Sequence, residues 1–306
     1  MTGMGKPADR DAGSVVVVDK PAGLSSARAL ARVKGLFKAQ KAGHAGTLDP
    51  FATGVMVCCL DRATRLAGFL LGGEKTYAAV MVLGIETDTQ DLTGQVIAAK
   101  PVEGVDEAGL NAVFARFTGT LQQVPPAYSA LKHQGVALYK LARRGQPVVK
   151  AARPVVITAL SVKAIDLPQV AFTVTCSAGT YIRTLCNDIG RALGCGGHLH
   201  ELRRLAASGF SAEEALGLEE LGARAQAGTL DQCRIGMAEA LRNMPAFRAD
   251  GELAAAIAHG RRIDAAALPG VANGPVKIVD RRGRLLAVLN RQPGNAVFDY
   301  RGVFGA

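Results

Sequence analysis

Residues 43–60 of the chain, GHAGTLDPFATGVMVCCL, place one carboxylate between a glycine-containing turn and an apolar run. Pro50 restricts the backbone of Asp49 to extended conformations, so Asp49 projects from a turn and does not lie inside a helix. The run GVMVCCL that follows is short and apolar, which predicts a buried strand. On these residues alone, an Asp before Pro more commonly stabilises its own turn by accepting local hydrogen bonds. A catalytic role for Asp49 therefore needs support from other parts of the chain.

The order of strand, glycine turn and helix is predicted at two places in the chain. SVVVVDKPAGLSS predicts a buried strand, a turn, and a helix capped by Ser25 or Ser26. QVAFTVTCSAGTYIRTLCNDIGRALGCGG predicts a strand, a glycine turn and a helix, and HLHELRRLAASGF predicts a returning strand. Two more strands are predicted in KTYAAVMVLG and GQVIAAK, and a helix in DEAGLNAVFARF. The core should therefore mix α and β elements, with glycine turns at its functional edge.

The last third of the sequence changes character twice. Alanine-rich polar sequence from residue 212 to about 241 predicts helix. From about residue 245 to 306, the strand-like runs PVKIVD and RLLAVLN flank the turn RRGR. With 306 residues in all, and roughly 100 to 200 residues in a usual domain, we expect a large domain and a small β-rich module.

The positive charge of the chain is concentrated in one segment. The net charge is +10, and residues 108–165 contain no Asp or Glu. This acid-free segment carries eight basic residues: Arg116, Lys132, Lys140, Arg143, Arg144, Lys150, Arg153 and Lys163. A solvated basic face is one interpretation, but surfaces usually mix both signs of charge unless a field is needed. The segment favours a polyanionic partner.

Several other classes of protein do not fit the composition. No apolar stretch approaches the ~20 residues of a membrane helix, and the polar N-terminus lacks the apolar core of a signal peptide, so we expect a cytoplasmic protein. The six cysteines form no CxxC pair and are expected to be reduced core residues. Cys195, His198 and His200 in CGGHLH fall short of a usual zinc spacing, so no metal site is expected.

Three more residues have side chains suited to a flipped base. Tyr77 in KTY, and Tyr181 and Arg183 in GTYIRT, offer aromatic faces that stack on a base and a guanidinium that can pair with a carboxylate. Each also has an ordinary structural explanation, since a strand tyrosine is commonly half-buried core and a helical arginine commonly lies on the surface.

At this point the chain resembles a known family, the TruB-type tRNA pseudouridine-55 synthases of bacteria. The resemblance covers residues 15–210 and depends on seven motifs in family order: DKPAGLSS, GHAGTLDPFATGV, KTY, LGIETDTQD, PPAYSALKHQGVALYKLARRG, CSAGTYIRTLCNDIG and HLHELRRL. It implies an α+β fold, with a mixed, largely antiparallel sheet in a catalytic domain of residues 1–244. Residues 245–306 would form a small β-rich, PUA-like RNA-binding domain.

The resemblance also assigns roles to individual residues. Asp49 would be the catalytic aspartate, Arg183 would lie beside it, and Tyr77 would stack on the target uracil. The remaining positions are expected around the flipped nucleotide or under it: His44, Tyr181 and Leu202 around it, and Lys20 with Pro21 at the pocket floor. From the residue alone, His44 is equally well explained as a turn-stabilising imidazole.

The sequence departs from the family pattern at three positions. Asp19 stands where Asn is expected, Ala45 where Thr is expected, and Ala178 where Lys is expected. None is the reacting carboxylate, but Ala178 removes one positive charge near the site.

The implied reaction breaks the C1'–N1 bond of uridine, rotates the uracil and rejoins it through C5, and it needs no cofactor. Asp49 could attack C6, attack C1' or remove a sugar proton. We expect Arg183 to keep Asp49 ionised by lowering its pKa. Tyr77 is the candidate base for the proton that leaves C5.

The expected partner is the T arm of tRNA, modified at position 55 by a monomeric enzyme. One alternative is an RNA-binding or RNA-folding protein that flips the base without essential chemistry. A carboxylate-dependent glycosidase is a second alternative, but it normally needs a pair of acidic residues, and only Asp49 lies in a suitable motif.

Overall fold

The computed structural model describes residues 13–305. Most of the polar N-terminus, on which the expectation of a cytoplasmic protein partly depended, lies outside these residues. No helix in the described part of the chain is long and apolar enough to cross a membrane.

The elements are numbered in chain order. The strands of residues 14–236 are β1 (Ser14–Lys20), β2 (Ala42–His44), β3 (Thr53–Leu60), β4 (Lys75–Leu83), β5 (Ile85–Thr87), β6 (Val96–Ala99), β7 (Gly119–Gln123), β8 (Lys132–His133), β9 (Val136–Ala137), β10 (Arg153–Asp166), β11 (Gln169–Cys176), β12 (Gly197–Ala207), β13 (Phe210–Ser211), β14 (Leu216–Gly217) and β15 (Ile235–Gly236). The strands that follow are β16 (Ala246–Arg248), β17 (Ile263–Asp264), β18 (Gly274–Val279), β19 (Leu285–Arg291) and β20 (Val297–Val303).

The helices connect these strands or lie at their edges. The α-helices are α1 (Ser26–Leu36), α2 (Ala67–Leu71), α3 (Glu107–Arg116), α4 (Leu138–Ala142), α5 (Ile182–Ala192), α6 (Leu218–Gln226), α7 (Met237–Ala240) and α8 (Gly251–Ala258). Short 3-10 helices span Asp61–Leu66, Ala212–Glu214, Leu230–Cys233 and Ala265–Ala267.

The large sheet has the strand order β14-β1-β3-β12-β4-β11-β10-β7. Its neighbours along this path are antiparallel except for two parallel pairs, β1 with β14 and β3 with β12. The predicted α+β fold with a mixed, largely antiparallel sheet is therefore confirmed. Strands β3, β12 and β4 lie side by side near the centre, and they carry or border most of the predicted site residues.

The strand sequences explain their places in the sheet. Strand β1 is apolar and almost fully buried, whereas β4 alternates buried and partly exposed residues along its whole length. Strand β3 approaches β12 so closely that a Cβ on Gly54 would lie 2.2 Å from the carbonyl oxygen of Arg204. Gly54 also has φ +103°, so both the close approach and the backbone favour glycine there.

Helix positions follow local capping signals. Helix α1 begins after Ser25, whose side chain accepts a hydrogen bond from the backbone N–H of Arg28. Asp106 caps α3 in the same way. Helix α5 is almost entirely buried and packs on β12, and its first turn holds Arg183 in the interior.

The prediction of helix from residue 212 to 241 is wrong for much of that segment. Helix α6 ends before Gly228, which has φ +71°, and α7 has only four residues. The chain returns to β1 twice, once immediately before each of these helices, where β14 and β15 form short ladders with that strand. The alanine-rich composition favours helix locally, but pairing with the β1 edge overrides that preference.

Residues 246–303 form a second, five-stranded sheet, as the strand-like runs predicted. This sheet packs against the large one, because Leu285, Val288 and Phe304 belong to the same buried apolar cluster as Val57 and Leu66. Polar contacts reinforce the junction: Arg62 Nη2 donates to the carbonyl of Phe304 at 2.8 Å. The two sheets therefore share part of one core, and a domain boundary at residue 244/245 stays a prediction.

Candidate active site

The loop that carries Asp49 joins β2 to β3 and is held by the segment after β1. Ser26 Oγ donates to the carbonyl of Leu48 at 2.9 Å and accepts from its N–H at 2.8 Å. The N–H of Gly23 donates to the carbonyl of Pro50 at 2.8 Å. These bonds fix the backbone on both sides of Asp49, so the position of its carboxylate is set before any substrate binds.

Lys20 is fully buried beneath this loop. Its Nζ donates to the carbonyls of Pro21 at 2.8 Å, Leu24 at 2.7 Å and Pro50 at 3.3 Å. Burial lowers the pKa of Lys20 to about 8, although the negative charge of Asp49 opposes that shift. Lys20 thus ties together the turn after β1 and the loop that carries Asp49.

Asp49 and Arg183 form an ion pair. Arg183 Nε lies 2.9 Å from Asp49 Oδ2, and Arg183 Nη2 lies 3.5 Å from Oδ1. The Asp49 side chain is 33% exposed, whereas that of Arg183 is 5% exposed. The carboxylate therefore faces the solvent side of the pair, and the guanidinium supports it from inside.

Arg183 is held by more than Asp49. Its Nη1 donates to the carbonyl of Thr89 at 2.9 Å, and its Nη2 donates to the carbonyl of Tyr128 at 2.8 Å. A second carboxylate, that of buried Asp91, lies 3.6 Å from Nη1. Asp91 is itself fixed by Thr89 and Thr93, whose hydroxyls donate to Oδ1 at 2.7 and 2.6 Å. The guanidinium consequently has little freedom to leave Asp49.

The pKa of Asp49 is raised, and the expectation that Arg183 lowers it below the ordinary value is wrong. Burial is the largest influence and raises the pKa, and the nearby charge of Asp91 raises it further. Arg183 and Lys20 act in the opposite direction without reversing the net shift. Asp49 is thus a carboxylate that is costly to ionise, a common property of reacting groups.

Tyr77 and Leu202 lie on the neighbouring strands β4 and β12. Both are buried, and they share an apolar cluster with Leu48 and Ala52, which flank Asp49. Burial raises the pKa of Tyr77, and the charge of Asp49 adds to the rise, while Arg204 opposes it through its charge and a hydrogen bond. The structure therefore brings Tyr77, Leu202 and Asp49 together, with the phenol neutral at physiological pH.

Tyr181 immediately precedes α5 and is fixed through its backbone. Its N–H donates to Gln123 Oε1 at 2.8 Å, and its carbonyl accepts from Gln123 Nε2 at 3.0 Å. The guanidinium of Arg153 lies 5.4 Å from the centre of the Tyr181 ring. Arg153 also donates to the carbonyl of Gly179, so a cation from β10 lies next to Ala178, where the expected lysine is absent.

His44 ends β2, two residues before Gly46. Burial lowers the pKa of His44, and the charge of Arg204 lowers it further, so the imidazole is neutral at physiological pH. Its Nδ1 is buried and has no hydrogen-bond partner among residues 13–305. A neutral ring of this kind is better suited to a hydrogen bond with a base or hydroxyl than to an ion pair with phosphate.

The other two departures from the family pattern have clear surroundings. Asp19 pairs with Arg203 through two bonds, of 3.1 and 2.7 Å. Ala45 is fully buried in an apolar cluster, where a methyl side chain leaves no polar group to satisfy.

Asp91, Gln123 and Arg204 also shape the site, and sequence reasoning assigned none of them a role. Asp91 stands in LGIETDTQD, which was quoted for the resemblance, so its motif was a signal that could have been used. Arg204 stands in another of these motifs, HLHELRRL, and had the same signal. Gln123 lies in none of them and acts on Tyr181, a residue distant in sequence.

The segment CGGHLH has structural contacts. His198 Nδ1 lies 3.0 Å from the carbonyl oxygen of Ile85, and Cys195 is buried. Within residues 13–305, no group of three or more His, Cys, Asp or Glu side chains could hold a metal ion.

Comparisons with known proteins relate the chain to one enzyme family. Residues 34–182 match the N-terminal domain of the TruB family pseudouridylate synthases, and residues 183–244 match the tRNA pseudouridylate synthase B C-terminal domain. The chain is 45% identical over 287 residues to tRNA pseudouridine synthase B of Burkholderia mallei (strain NCTC 10247), covering 92% of this chain and 93% of the relative. It is 46% identical over 232 residues to tRNA pseudouridine synthase B of Geobacter sulfurreducens, covering 76% of each chain.

Two solved structures are similar over almost the whole chain. A chain of a Cbf5-Nop10-Gar1 complex has a TM-score of 0.75 and 28% identity, covering 96% of this chain and 85% of that one. A chain of an H/ACA RNP bound to a substrate RNA containing 2'-deoxyuridine has a TM-score of 0.74 and 26% identity, covering 96% and 86%.

Proposed function

The chain belongs to the TruB family of pseudouridylate synthases and isomerises uridine to pseudouridine in tRNA, and from this premise we propose that it modifies uridine 55 of the T loop with Asp49 as the reacting carboxylate. The observation that carries the proposal is the Asp49–Arg183 pair. Its carboxylate is one-third exposed on a loop fixed from both sides, and its guanidinium is buried and anchored to two backbone carbonyls. Such a pair presents the Asp49 carboxylate to a substrate in a fixed orientation.

The chemistry needs the charge of Asp49. When the C1'–N1 bond breaks, its electron pair leaves with the uracil, which must be held while it rotates so that C5 can bond to C1'. The C5 proton then leaves, and N1 gains a proton, so the reaction is an isomerisation with no net loss of atoms. Attack at C6, attack at C1' and removal of a sugar proton all require an ionised carboxylate.

Tyr77 is proposed to stack on the uracil and to accept the proton from C5. Stacking does not depend on ionisation, and it is supported by the packing of Tyr77 in one apolar cluster with Leu48 and Leu202. The second role requires the ionised phenolate, whereas burial raises the pKa of Tyr77 and keeps the phenol neutral. A cation close to the hydroxyl would favour that second role.

The remaining predicted residues are proposed to surround the nucleotide. Tyr181 offers an aromatic ring at the start of α5, and Arg153 beside it offers a positive charge for a phosphate. His44 would bond to the base or to a hydroxyl, Leu202 would contact the base, and Lys20 would keep the pocket floor in place.

The acid-free segment of residues 108–165 is proposed as the track for tRNA. Six of its eight basic residues are exposed: Arg116, Lys132, Lys140, Arg143, Arg144 and Lys163. The segment is joined to the site through Tyr128, whose carbonyl accepts from Arg183. RNA bound along these residues would therefore lie next to the reacting carboxylate. We propose that residues 245–306 form the PUA-like domain and add a second RNA contact.

Pseudouridine mapping tests the proposal. Purified protein incubated with an unmodified tRNA transcript should form pseudouridine at position 55, and a transcript with cytidine at that position should gain none. Release of tritium from C5-labelled uridine would report the same reaction independently. Modification at other positions with none at 55 would refute the T-loop assignment. The proposal also takes the enzyme to be a monomer in the cytoplasm, which light scattering and cell fractionation would test.

A further inference from the structure

Arg204 is the largest fully buried side chain among residues 13–305, and the roles described so far do not use it. Its Nε donates to the carbonyl of Val55 at 2.6 Å, and its Nη2 donates to the carbonyl of Gly46 at 3.1 Å. Gly46 and Val55 lie on either side of Asp49 along the chain. The guanidinium therefore joins both ends of the loop that carries the reacting carboxylate.

Arg204 has no carboxylate partner at ion-pair distance in the described part of the chain, although it is 1% exposed. Lys20 and Lys75 are two cations on which the charge of Arg204 acts. Burial lowers the pKa of both lysines to about 8, and the charge of Arg204 contributes to the lowering. A buried charge without a counter-charge opposes folding unless its hydrogen bonds are all satisfied. For packing alone, an apolar side chain of similar volume would serve as well.

Tyr77 is another partner of Arg204. The two residues are directly opposite each other on β4 and β12. The positive charge of Arg204 also acts on the Tyr77 phenol, since it lowers the pKa of Tyr77 against the effect of burial. The approach from the loop side depends on Gly46, which has φ +110° and where a Cβ would lie 3.3 Å from Arg204 Nη1. One rigid, planar group thus links both ends of the Asp49 loop to the strand position opposite Tyr77.

We propose that Arg204 is a positioning residue for pseudouridine formation, which holds the Tyr77 hydroxyl in a fixed place relative to the Asp49 loop. The proposal depends on the roles assigned to Asp49 and Tyr77 above. It explains why an arginine without an acidic partner occupies the interior next to the site. It also assigns a use to its planar fork, since a lysine could not reach two carbonyls and a hydroxyl together.

A double-mutant cycle tests the proposal, with single-turnover pseudouridine formation measured at saturating tRNA. Arg204→Met and Tyr77→Phe should each slow the reaction by at least about tenfold, a typical size for coupled contacts. The double variant should be no more than about threefold slower than the slower single variant, because both changes break the same contact. The matched control is Arg203→Met, which alters the adjacent, 41%-exposed arginine of the same strand and should stay within about twofold of the unaltered protein.

The outcomes separate the possible explanations. If the two losses multiply, or if Tyr77→Phe reacts at the unaltered rate, Arg204 does not act through the Tyr77 hydroxyl and the proposal is overturned. If Arg204→Met does not fold by circular dichroism, the same cycle is measured with Arg204→Lys, with the same criterion. Failure of the unaltered protein to form pseudouridine would instead refute the proposed function.

Discussion

Asp49→Asn should abolish pseudouridine formation while leaving the fold and RNA binding almost unchanged. The amide has the shape of the carboxylate but carries no charge, so it cannot serve as the reagent in any of the three routes. If Asp49 only stabilised its turn, Asn would serve almost as well, since both side chains accept the same local hydrogen bonds. The substitution therefore separates chemistry from structure at one residue.

The effect on stability can be worked out from the contacts of Asp49. An amide oxygen can still accept the 2.9 Å bond from Arg183 Nε, but the bond loses its charge assistance, a loss of ~1 to 1.5 kcal/mol. Against this, the raised pKa of Asp49 means that its ionised form opposes folding. That opposition is absent when the group is protonated at low pH and present above its folded pKa, so the neutral amide is free of it at pH 7. The two effects partly cancel, and the free energy of unfolding should change by no more than ~1 kcal/mol, a shift in Tm of no more than ~4 °C.

The assay is single-turnover pseudouridine formation, with filter binding to measure tRNA affinity and circular dichroism to follow the fold. The rate should fall by at least ~10⁴-fold, with affinity within about threefold of the unaltered protein. The matched control is Asp61→Asn, since Asp61 begins a 3-10 helix and its Oδ1 accepts from the N–H groups of Gln40 and Lys41. That variant should react normally. A rate for Asp49→Asn within about tenfold of the unaltered protein would return Asp49 to a turn-stabilising role.

Arg183→Lys should slow the reaction at least ~tenfold despite keeping the charge, because lysine cannot bond to Asp49 and two carbonyls at once; single-turnover kinetics at an unaltered rate would contradict this. Asp91→Asn removes a charge that raises the pKa of Asp49, so the acidic limb of the pH–rate profile, where Asp49 gains its proton, should move to lower pH; an unmoved limb would show that Asp91 does not act on Asp49. Binding of tRNA should weaken at least ~tenfold between about 50 and 200 mM salt, and a flat response would exclude residues 108–165 as the RNA track. Removal of residues 245–306 should weaken tRNA binding more than it slows the chemical step of the bound complex. It should also lower Tm, because it exposes the apolar cluster that the two sheets share. A truncated protein with an unchanged Tm would refute that packing.

Local patterns predicted most of the large sheet and its helices. The apolar run of β1, the strand-like run KTYAAVMVLG of β4 and the Ser25 cap are signals within a few residues, and the structure contains each of these elements. The segment from 212 to 241 could not be predicted in this way, because its interruptions arise from pairing with β1, which lies about 200 residues earlier. The composition of that segment favours helix, but pairing with the edge strand β1 determines where the helices are interrupted.

The candidate site shows the same division. The resemblance to TruB enzymes identified the positions of Asp49, Arg183 and Tyr77, and the structure brings those positions together. It did not predict that burial raises the pKa of Asp49, since that depends on the surrounding packing and on Asp91. The burial of Arg204 was not predicted either, because an arginine in HLHELRRL is expected at a surface and only tertiary contacts bury it.

The apolar cluster shared by the two sheets has a consequence for synthesis on the ribosome. Arg62 binds the carbonyl of Phe304, 242 residues later, and Phe304 covers apolar residues of the first sheet. At roughly 5 to 20 residues per second, translation takes about 10 to 50 seconds to cover that distance. For that interval the nascent chain has made β1 and β3, but part of the apolar cluster in which their residues lie stays uncovered. A nascent chain in this state exposes an apolar surface that chaperones can bind. The same surface can associate with other nascent chains on the same messenger RNA.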